Sequence, residues 1–370
     1  MGDFERFKQE IQSERRFVIY GAQHHAQCMN IAFKILLPDA VVLCFMVSDK
    51  KNNPDKIDGI EVRSVQDGMV DVSIPVLIAA SEKYFAEIYD TLISRGFSNV
   101  FNGTFGSDFD NDVRELYFRN CFIGGTSAFK TLSQQNAQCG EEKESICMYM
   151  ARCIVDKELQ HEIPMPEYVR PVQAGAALTE KVIADIRDDM GDNISHKNRN
   201  YCECTVTHYI WKNAAEDYVG LCHYRRRFQW NQTDLKILES GAVDVVLPYP
   251  VITVRDKYDI HYKPYIEESV YQVMLDVLKQ NYGEYYTTAL EVMRGDMFYP
   301  CNLVLAKKHI FDAYAEWLFD VLRKVEVVCG DENVRTDRYL GYLAEHLTTF
   351  YFVKNRMNMN IVHSRMEILK

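Results

Sequence analysis

The chain has 370 residues, a net charge of -11, a hydrophobic fraction of 47% and a charged fraction of 26%. This length favours two globular domains, and the acidic balance argues against general nucleic-acid binding. The 11 cysteines nowhere form a C-x-x-C pair, which predicts reduced thiols in a cytoplasmic protein without a zinc or disulfide framework. Residues 1–16 lack the apolar core of a signal peptide, and no apolar run is long enough to span a bilayer.

The first third of the chain predicts a small Rossmann-like domain over residues 1–123. Short apolar runs at 17–22, 41–47, 74–80 and 99–101 predict strands. Helices are expected at 24–37, which Pro38 ends, and at 82–95, which Gly96 ends. Because strands alternate with helices, parallel βαβ units are expected. An Asp-x-Asp sequence at 108–110 is expected in a solvated loop.

The turn after the first strand resembles a dinucleotide fingerprint only in part. It begins with Gly21, but Gln23 and Ala26 stand where the fingerprint has its other glycines. Asp49, at the end of the second strand, could accept a ribose hydroxyl. Two interpretations stay open: a structural domain without a cofactor, and an NAD-dependent sugar-nucleotide enzyme.

A second α/β domain is predicted over residues 145–370. Residues 124–144 are rich in Ser, Thr, Gln, Gly and Lys, which is typical of a linker. Beyond this linker, apolar runs predict strands at 146–155, 218–222, 243–247 and 302–306. Helical periodicity predicts helices at 199–213, 266–281, 308–326 and 335–351, and a further helix that ends near residue 293.

The most informative stretch is the run from Asp217 to Phe228, where a buried strand ends in charged residues. The apolar residues 218–222 are followed at once by His223, Tyr224 and three arginines, Arg225 to Arg227. A strand that opens onto guanidinium groups is suited to phosphate or carboxylate ligands. The alternative is a solvated turn with surface arginines. Since neighbours on an extended chain alternate sides, Arg227 is expected to face outward.

Residues 220–226, Gly-Leu-Cys-His-Tyr-Arg-Arg, resemble the signature of a bacterial family known as a domain of unknown function. Members of this family occur among capsular and exopolysaccharide biosynthesis glycosyltransferases. The resemblance extends over roughly residues 146–355, through the segments 172–176, 192–198, 201–203, 209–213, 302–308, 311–319 and 338–345.

The resemblance implies a GT-A-like glycosyltransferase domain that follows the small Rossmann-like domain. Such an enzyme would move a sugar from a nucleotide-diphosphate donor to a polysaccharide or lipid-linked glycan. Among such donors, a UDP-sugar is the one expected. Some members are described as galactofuranosyltransferases, so galactofuranose in capsule, exopolysaccharide or O-antigen synthesis is expected. The implied place is the cytoplasm, with peripheral association at the inner face of the plasma membrane. A non-catalytic sugar-nucleotide-binding protein is the remaining alternative.

Three groups of residues are predicted to bind the donor. A segment with small side chains lets the backbone approach a nucleobase or ribose, a polar helix start offers free amides to an anion, and the end of the central strand offers cations. These residues are Gln173, Ala174 and Gly175; Asn193, Ser195 and Asn198; and Tyr224, Arg225 and Arg226.

Acceptor and catalytic residues are predicted from the remaining polar segments. The acceptor is expected at His261, Tyr262, Lys263 and Asn302. His223, Glu345 and Asp296 are the catalytic candidates, and the possible bases, left unranked, are Glu203, Asp217, Asp296, Glu316 and Glu345. No Asp-x-Asp follows the central strand, so His223 and the arginines are expected to replace a divalent metal, and no metal site is predicted.

Overall fold

A computed structural model of the chain describes residues 2–138, 143–159, 164–254 and 265–369. The chain divides into two compact units, Met1–Ser127 with Ile252–Val254, and Ala128–Val251 with Arg255–Lys370. Separate folding of the two parts and a linker over 124–144 stay predictions. Among the described residues, every helix is too short or too polar to cross a membrane.

The first unit is built on a six-stranded sheet in the order β3-β4-β2-β1-β5-β6. All neighbouring strands are parallel except β3 and β4, so the predicted Rossmann-like arrangement is confirmed. Its elements are α1 (Asp3–Glu14), β1 (Arg16–Tyr20), α2 (His24–Leu36), β2 (Val41–Val47), β3 (Lys56–Ile57), β4 (Ile60–Ser64), β5 (Val76–Ile78), α3 (Phe85–Ser94), β6 (Val100–Asn102) and α4 (Asp108–Cys121).

The prediction of a solvated loop at residues 108–110 is wrong. Asp108 begins α4, and the hydroxyl of Ser107 caps this helix by accepting a hydrogen bond from the amide of Asp110. Asp110 is buried and forms an ion pair of 3.0 Å with Arg114, one helical turn later. The acidic residues near the helix start complement its dipole, which explains the pattern without a metal.

The second unit is built on a nine-stranded mixed sheet. Its main order is β16-β12-β15-β10-β7-β8-β9, with β11 between β10 and β17. The elements from residue 146 onward are β7 (Ile146–Arg152), β8 (Val169–Gln173), β9 (Ile186–Arg187), α5 (Asn198–Tyr201), α6 (Cys204–Asn213), β10 (Tyr218–His223), β11 (Arg226–Phe228), α7 (Gln232–Glu239), β12 (Val245–Pro248), β13 (Val251–Ile252), α8 (Glu268–Asn281), α9 (Gly283–Arg294), β14 (Met297–Phe298), β15 (Val304–Lys307), α10 (Lys308–Cys329), α11 (Tyr339–Asn355), β16 (Ile361–Ser364) and β17 (Met366–Ile368).

Strand direction determines which segments meet at one edge of this sheet. The strands β7, β8 and β10 are parallel, so their carboxyl ends share an edge. The strand β15 is antiparallel to β10, with Leu221 opposite Val304. Residues that precede β15 therefore lie at the same edge as residues that follow β10.

The predicted core faces of the two longest helices are confirmed. On α10, Phe311, Leu318 and Val325 are buried, and on α11, Leu343 and Leu347 are buried. These faces pack against each other and against α6, α8 and α9. Burial of several large apolar side chains at about 1.5–3 kcal/mol each makes this helical layer a rigid support for the sheet edge.

The helix predicted over residues 199–213 is divided in two. Helix α5 ends at Tyr201, Cys202 has φ 50° and ψ -131°, and α6 begins at Cys204. A non-glycine residue in this conformation is strained and breaks the helix. The interruption places Glu203 at a turn between two helices, which a continuous helix would not do.

Part of the predicted linker packs onto the second unit. Phe129 is buried and stacks on His363, with ring centroids 4.5 Å apart. The carbonyl of Lys130 accepts a hydrogen bond from the amide of His363, and Thr131 forms a β-bridge to the same residue. Residues 129–131 thus pack along β16, at the edge of the nine-stranded sheet.

Candidate active site

A cavity of about 990 Å³ opens in the second unit at the edge where β7, β8 and β10 end. In α/β sheets, ligands bind outside the carboxyl ends of parallel strands. The cavity is lined by residues from the loops after these strands, from the turn between α5 and α6, and from the segments that precede β15 and begin α11. They include Arg152, Cys153, Ile154, Val155, Asp156, Lys157, Ala174, Gly175, Leu178, Thr179, Asn198, Arg199, Cys202, Glu203, His223, Tyr224, Arg225, Arg226, Tyr265, Cys301, Thr336, Arg338, Tyr342 and Glu345.

The predicted arginine cluster is divided between the cavity and the core. His223 pairs with Arg226 across a tight hairpin, so Tyr224 and Arg225 form its tip, and all four residues line the cavity. The Arg225 guanidinium lies 5.6 Å from the centroid of the Tyr224 ring. Its buried Nε has no hydrogen-bond partner in the described part of the protein. A charged donor of this kind is suited to an anionic ligand.

Arg227 does not face solvent, so the prediction of an outward side chain is wrong. The side chain is buried, forms an ion pair with Glu367 on β17, and donates to the carbonyl of Pro164 at 3.0 Å. Alternation along the strand does turn Arg227 away from the cavity. The other side of β11 is covered, however, because β17 pairs with it.

Positive charge is in excess on the cavity wall. The cationic side chains are Arg152, Lys157, Arg199, Arg225, Arg226 and Arg338, and the carboxyl side chains are Asp156, Glu203 and Glu345. Six cations against three carboxyl groups, on a chain with net charge -11, make a local field that attracts anions. Only Arg225 and Arg226 among these cations were predicted from the sequence.

Glu345 has the most perturbed carboxyl group of the cavity. Its pKa is raised to about 7, first because burial disfavours the charged form and second because Glu203 adds a negative charge. The amide of Cys301, which donates to Glu345 Oε2 at 3.2 Å, and the charges of Arg226 and Arg338 oppose this rise. A carboxyl group with a pKa near neutrality can exchange a proton at physiological pH.

The backbone of Cys301 contacts two catalytic candidates, His223 and Glu345. Its carbonyl lies 2.8 Å from His223 Nε2, and its amide donates to Glu345. His223 Nε2 also lies 3.8 Å from Glu203 Oε1. Because a carbonyl only accepts, Nε2 carries the imidazole proton in this arrangement. The side chains of His223 and Glu345 are therefore both held by backbone groups of one residue, Cys301.

Strained backbone is concentrated at the cavity. Four of the seven described non-glycine residues with positive φ are Cys202, Cys301, Asn302 and Arg338. Three of them line the cavity, and Asn302 donates a hydrogen bond to Glu203, which lines it. Residues in such conformations cost about 1–3 kcal/mol each and cluster at functional sites.

The segment predicted to approach a nucleobase is only partly exposed to the cavity. Ala174 and Gly175 line it. Gly175 has φ 67°, and a Cβ there would lie 2.8 Å from the side chain of Asn198, so the glycine is required. The buried side chain of Gln173 instead bonds the carbonyl of Lys181 and the amide of Ile183. It therefore supports the loop from behind.

The polar residues predicted at the start of a helix, Asn193, Ser195 and Asn198, are likewise mostly structural. The hydroxyl of Ser195 donates to Asp188 at 2.5 Å and accepts from the amide of Ala177. Asp188 also accepts the amides of Gly175 and Ala176, which holds the cavity loop. Asn193 bonds within its own turn, and of the three predicted residues only Asn198 lines the cavity. Asp188 was not predicted as a site residue, although it lies four residues before the segment 192–198 that carries the family resemblance.

The other predicted residues differ in their positions. Asn302 is buried behind the cavity wall, where it donates to Glu203. Asp296 is outside the cavity lining, and Asp217 and Glu316 are exposed on other surfaces. His261, Tyr262 and Lys263 lie outside the described residues. The sequence did not predict three residues that line the cavity, namely Arg199, Cys301 and Arg338. Arg338 is the first residue of the segment 338–345, which carries the family resemblance.

Two other sites considered in the sequence were a metal site and the turn at Gly21. Within the described ranges, no three His, Cys, Asp or Glu side chains are grouped so that they could hold a metal ion.

Gly21 has φ 129°, and a Cβ there would lie 2.5 Å from the carbonyl of Ala79. Close packing of β1 against the segment after β5 therefore explains this glycine without a dinucleotide.

The fold and this cavity define a mixed α/β architecture of the kind found in glycosyltransferases. A solved apo structure titled WbbM bifunctional glycosyltransferase is similar, with a TM-score of 0.53 and 25% identity. The similarity covers 61% of this chain and 45% of that one, so this chain matches less than half of that structure.

The chain belongs to the DUF4422 family, described as a domain of unknown function, which matches residues 153–356. The match contains every described residue of the cavity except Ala151 and Arg152. No curated protein matches the chain.

Proposed function

We propose that the second unit transfers a sugar from a nucleotide-diphosphate donor to a hydroxyl of a glycan acceptor. The observation that carries this proposal is the combination, in one cavity, of excess cations and a carboxyl group with a pKa of about 7. Sugar transfer needs both properties. The leaving diphosphate must be stabilised as charge develops on it, and the acceptor hydroxyl must lose a proton.

In this proposal the diphosphate lies against Arg225 and Arg226. The hairpin of β10 and β11 holds both side chains at the sheet edge, and the unpartnered Nε of Arg225 provides a donor for a phosphate oxygen. Arg338 and Arg199 add positive charge from other segments of the wall. The loop with Ala174 and Gly175, which lacks bulky side chains, receives the flat nucleoside.

Glu345 is proposed as the general base. The acceptor oxygen forms a bond to the anomeric carbon, its proton passes to Glu345, and the bond from the anomeric carbon to the diphosphate oxygen breaks. The electron pair of that bond leaves with the diphosphate, whose new charge the arginines stabilise. His223, whose Nε2 donates to the carbonyl of Cys301, is proposed to assist this stabilisation. The proposal includes no metal step, since it gives the role of the positive element to His223 and the arginines.

Finer assignments rest on the family resemblance of the sequence. A UDP-linked donor, galactofuranose as the sugar, and a polysaccharide or lipid-linked acceptor in capsule, exopolysaccharide or O-antigen synthesis are proposals of this kind. Peripheral association with the inner face of the plasma membrane belongs to the same set. The similar structure is that of a bifunctional glycosyltransferase, which supports glycosyl transfer in general terms.

A panel of UDP-sugars tests the proposal through slow hydrolysis and transfer to glycan acceptors. Release of UDP from one sugar by the wild type, but not by Glu345→Gln, is the expected result. Calorimetry with UDP should give binding that survives a chelator and weakens with salt, because paired charges at an open site are screened. Binding that needs manganese would overturn the metal-free proposal, and binding without any turnover would favour a non-catalytic sugar-nucleotide-binding protein.

A further inference from the structure

Asn302, the one described residue among those predicted to bind the acceptor, has its side chain occupied by other groups of the protein. It is buried, and its amide nitrogen donates to Glu203 Oε1 at 2.8 Å and to the carbonyl of Gly341 at 3.3 Å. The other predicted acceptor residues, at 261–263, lie outside the described residues. The acceptor sugar therefore needs another contact surface in the cavity.

Tyr265 and Tyr342 form an aromatic pair on the cavity wall. Their ring centroids are 5.0 Å apart, and their ring planes are tilted by 31°. The Arg338 guanidinium lies 5.7 Å from the centroid of the Tyr342 ring. Because the rings pack against each other and against a cation, the tyrosine pair is held in place before a ligand arrives.

The tyrosine pair has the surface properties that a sugar ring requires. Tyr265 is 55% exposed, although the next residue, Ile266, is buried and anchors the chain. Neither tyrosine hydroxyl has a hydrogen-bond partner in the described part of the chain. A tyrosine offers an apolar ring together with a hydroxyl that both donates and accepts. A sugar matches this surface, because it carries C–H groups on its faces and hydroxyl groups around its edge.

The position of the tyrosine pair beside Glu345 distinguishes the acceptor from the donor. Tyr342 and Glu345 are three residues apart on α11, so their Cβ atoms are neighbours at about 5–6 Å on one helix face. A general base must lie within hydrogen-bond reach of the hydroxyl that it deprotonates, and the acceptor ring carries that hydroxyl. The nucleobase of the donor is separated from the reacting carbon by a ribose and two phosphates. It therefore lies farther from the base than the acceptor ring does.

We propose that Tyr265 and Tyr342 form the subsite for the acceptor sugar. A C–H face of this sugar lies on the exposed ring of Tyr265, hydroxyl groups at its edge bond the tyrosine hydroxyls, and its reacting hydroxyl faces Glu345. The ligand is the sugar of the acceptor glycan that carries the reacting hydroxyl. This inference rests on the proposed function for the role of Glu345, whereas the binding of a sugar to the tyrosine pair does not depend on turnover.

Saturation-transfer-difference NMR tests the subsite on the full chain with methyl glycosides at millimolar concentration. The probes are the methyl glycosides of glucose, galactose, galactofuranose, mannose, rhamnose and N-acetylglucosamine, and UDP is present in excess to fill the donor site. At least one glycoside should receive saturation, mainly on the C–H protons of one ring face. Its Kd should rise by about 3–10-fold in Tyr265→Ala and in Tyr342→Ala, because an aromatic contact is lost. Tyr265→Phe keeps the ring and should lose less affinity than Tyr265→Ala.

The matched control is a second aromatic pair, which lies outside the cavity. Phe85 and Tyr89, on α3 of the first unit, have ring centroids 5.7 Å apart and ring planes tilted by 30°, and Tyr89 is also exposed. Tyr89→Ala should leave the Kd of the glycoside unchanged. Calorimetry should give the same UDP affinity for Tyr265→Ala as for the wild type, because the proposed subsite does not contact the donor.

The inference is overturned if Tyr265→Ala binds the glycoside like the wild type, if Tyr89→Ala weakens binding equally, or if the wild type binds no glycoside. A loss of UDP affinity in Tyr265→Ala would assign the tyrosine pair to the nucleobase and would overturn it as well. Tyr265 is exposed in a turn, so its replacement leaves the core intact, and thermal unfolding checks this.

The two proposals fail in different ways. Glycoside binding that depends on Tyr265, in a protein that releases UDP from no UDP-sugar, would contradict the proposed function alone. Sugar transfer by a protein whose glycoside binding does not depend on Tyr265 would contradict only the inference.

Discussion

Glu203 and Glu345 line the same cavity, and the negative charge of Glu203 helps to raise the pKa of Glu345 to about 7. The two residues come from the α5–α6 turn and from α11, which are far apart in the chain. A carboxyl group whose pKa is raised by burial and by a neighbouring carboxyl group is typical of a catalytic acid or base. Their arrangement governs the first two predictions.

Glu345→Gln should lower kcat by about 10²–10⁴-fold, the usual contribution of a general base. UDP affinity should change little, since the arginines remain. In the wild type, kcat should rise with pH through about 7 as Glu345 loses its proton. Steady-state rates from pH 5 to 9, with the exposed Glu316→Gln as control, check this. A pH profile that Glu345→Gln leaves unchanged in shape and height would remove Glu345 from the mechanism.

The same substitution should stabilise the protein at high pH. The pKa of Glu345 is about 7 in the folded protein against 4.5 for the free group, so the folded state binds more protons between these values. The free energy of unfolding therefore falls as pH rises from about 4.5 to 7, by roughly 3 kcal/mol from this group. Urea unfolding at pH 5 and pH 8 should show that Glu345→Gln gains stability over the wild type mainly at pH 8. Glu316→Gln should show no such dependence.

Arg226 and Arg227 are neighbours with different expected roles. Arg226→Ala should weaken UDP binding by about 1.5–3 kcal/mol, the scale of a hydrogen bond to a charged group. Arg227→Ala should leave the affinity of the folded protein nearly unchanged. It should lower the free energy of unfolding by about 2–3 kcal/mol, because it leaves Glu367 without its partner. Calorimetry and urea unfolding of both variants separate the effects. Weakened UDP binding in Arg227→Ala but not in Arg226→Ala would contradict the proposed contact of Arg226 with the diphosphate.

The second unit should need residues 128–144 for its stability. A fragment over residues 128–370 keeps the stacking of Phe129 on His363 and the backbone bond at Lys130, whereas a fragment over residues 145–370 loses both. Removal of a buried aromatic side chain costs about 3–5 kcal/mol. Thermal unfolding of the two fragments should therefore differ clearly. Equal stability would favour the predicted linker over the whole of 124–144.

Local sequence patterns determined the α/β class, the parallel arrangement of the first unit and the central strand β10. Apolar runs and helical periodicity depend on neighbours in the chain, so they can be recognised without the fold. Strand β2 lies at the predicted residues, and the predicted apolar faces of α10 and α11 are buried. His223, Arg225 and Arg226 were found because a buried strand cannot continue into charged residues without reaching a surface.

Tertiary structure alone decided which polar residues share the cavity and which support it. The sequence predicts one continuous helix, but the helix is interrupted at Cys202. This interruption places Glu203 near Glu345. Arg227 is buried because β17, from the other end of the unit, covers β11. The hydrogen bonds of Asn302 are made with groups from the α5–α6 turn and from α11. Hydrogen bonds and pKa shifts of this kind come from residues distant in sequence, so no local pattern records them.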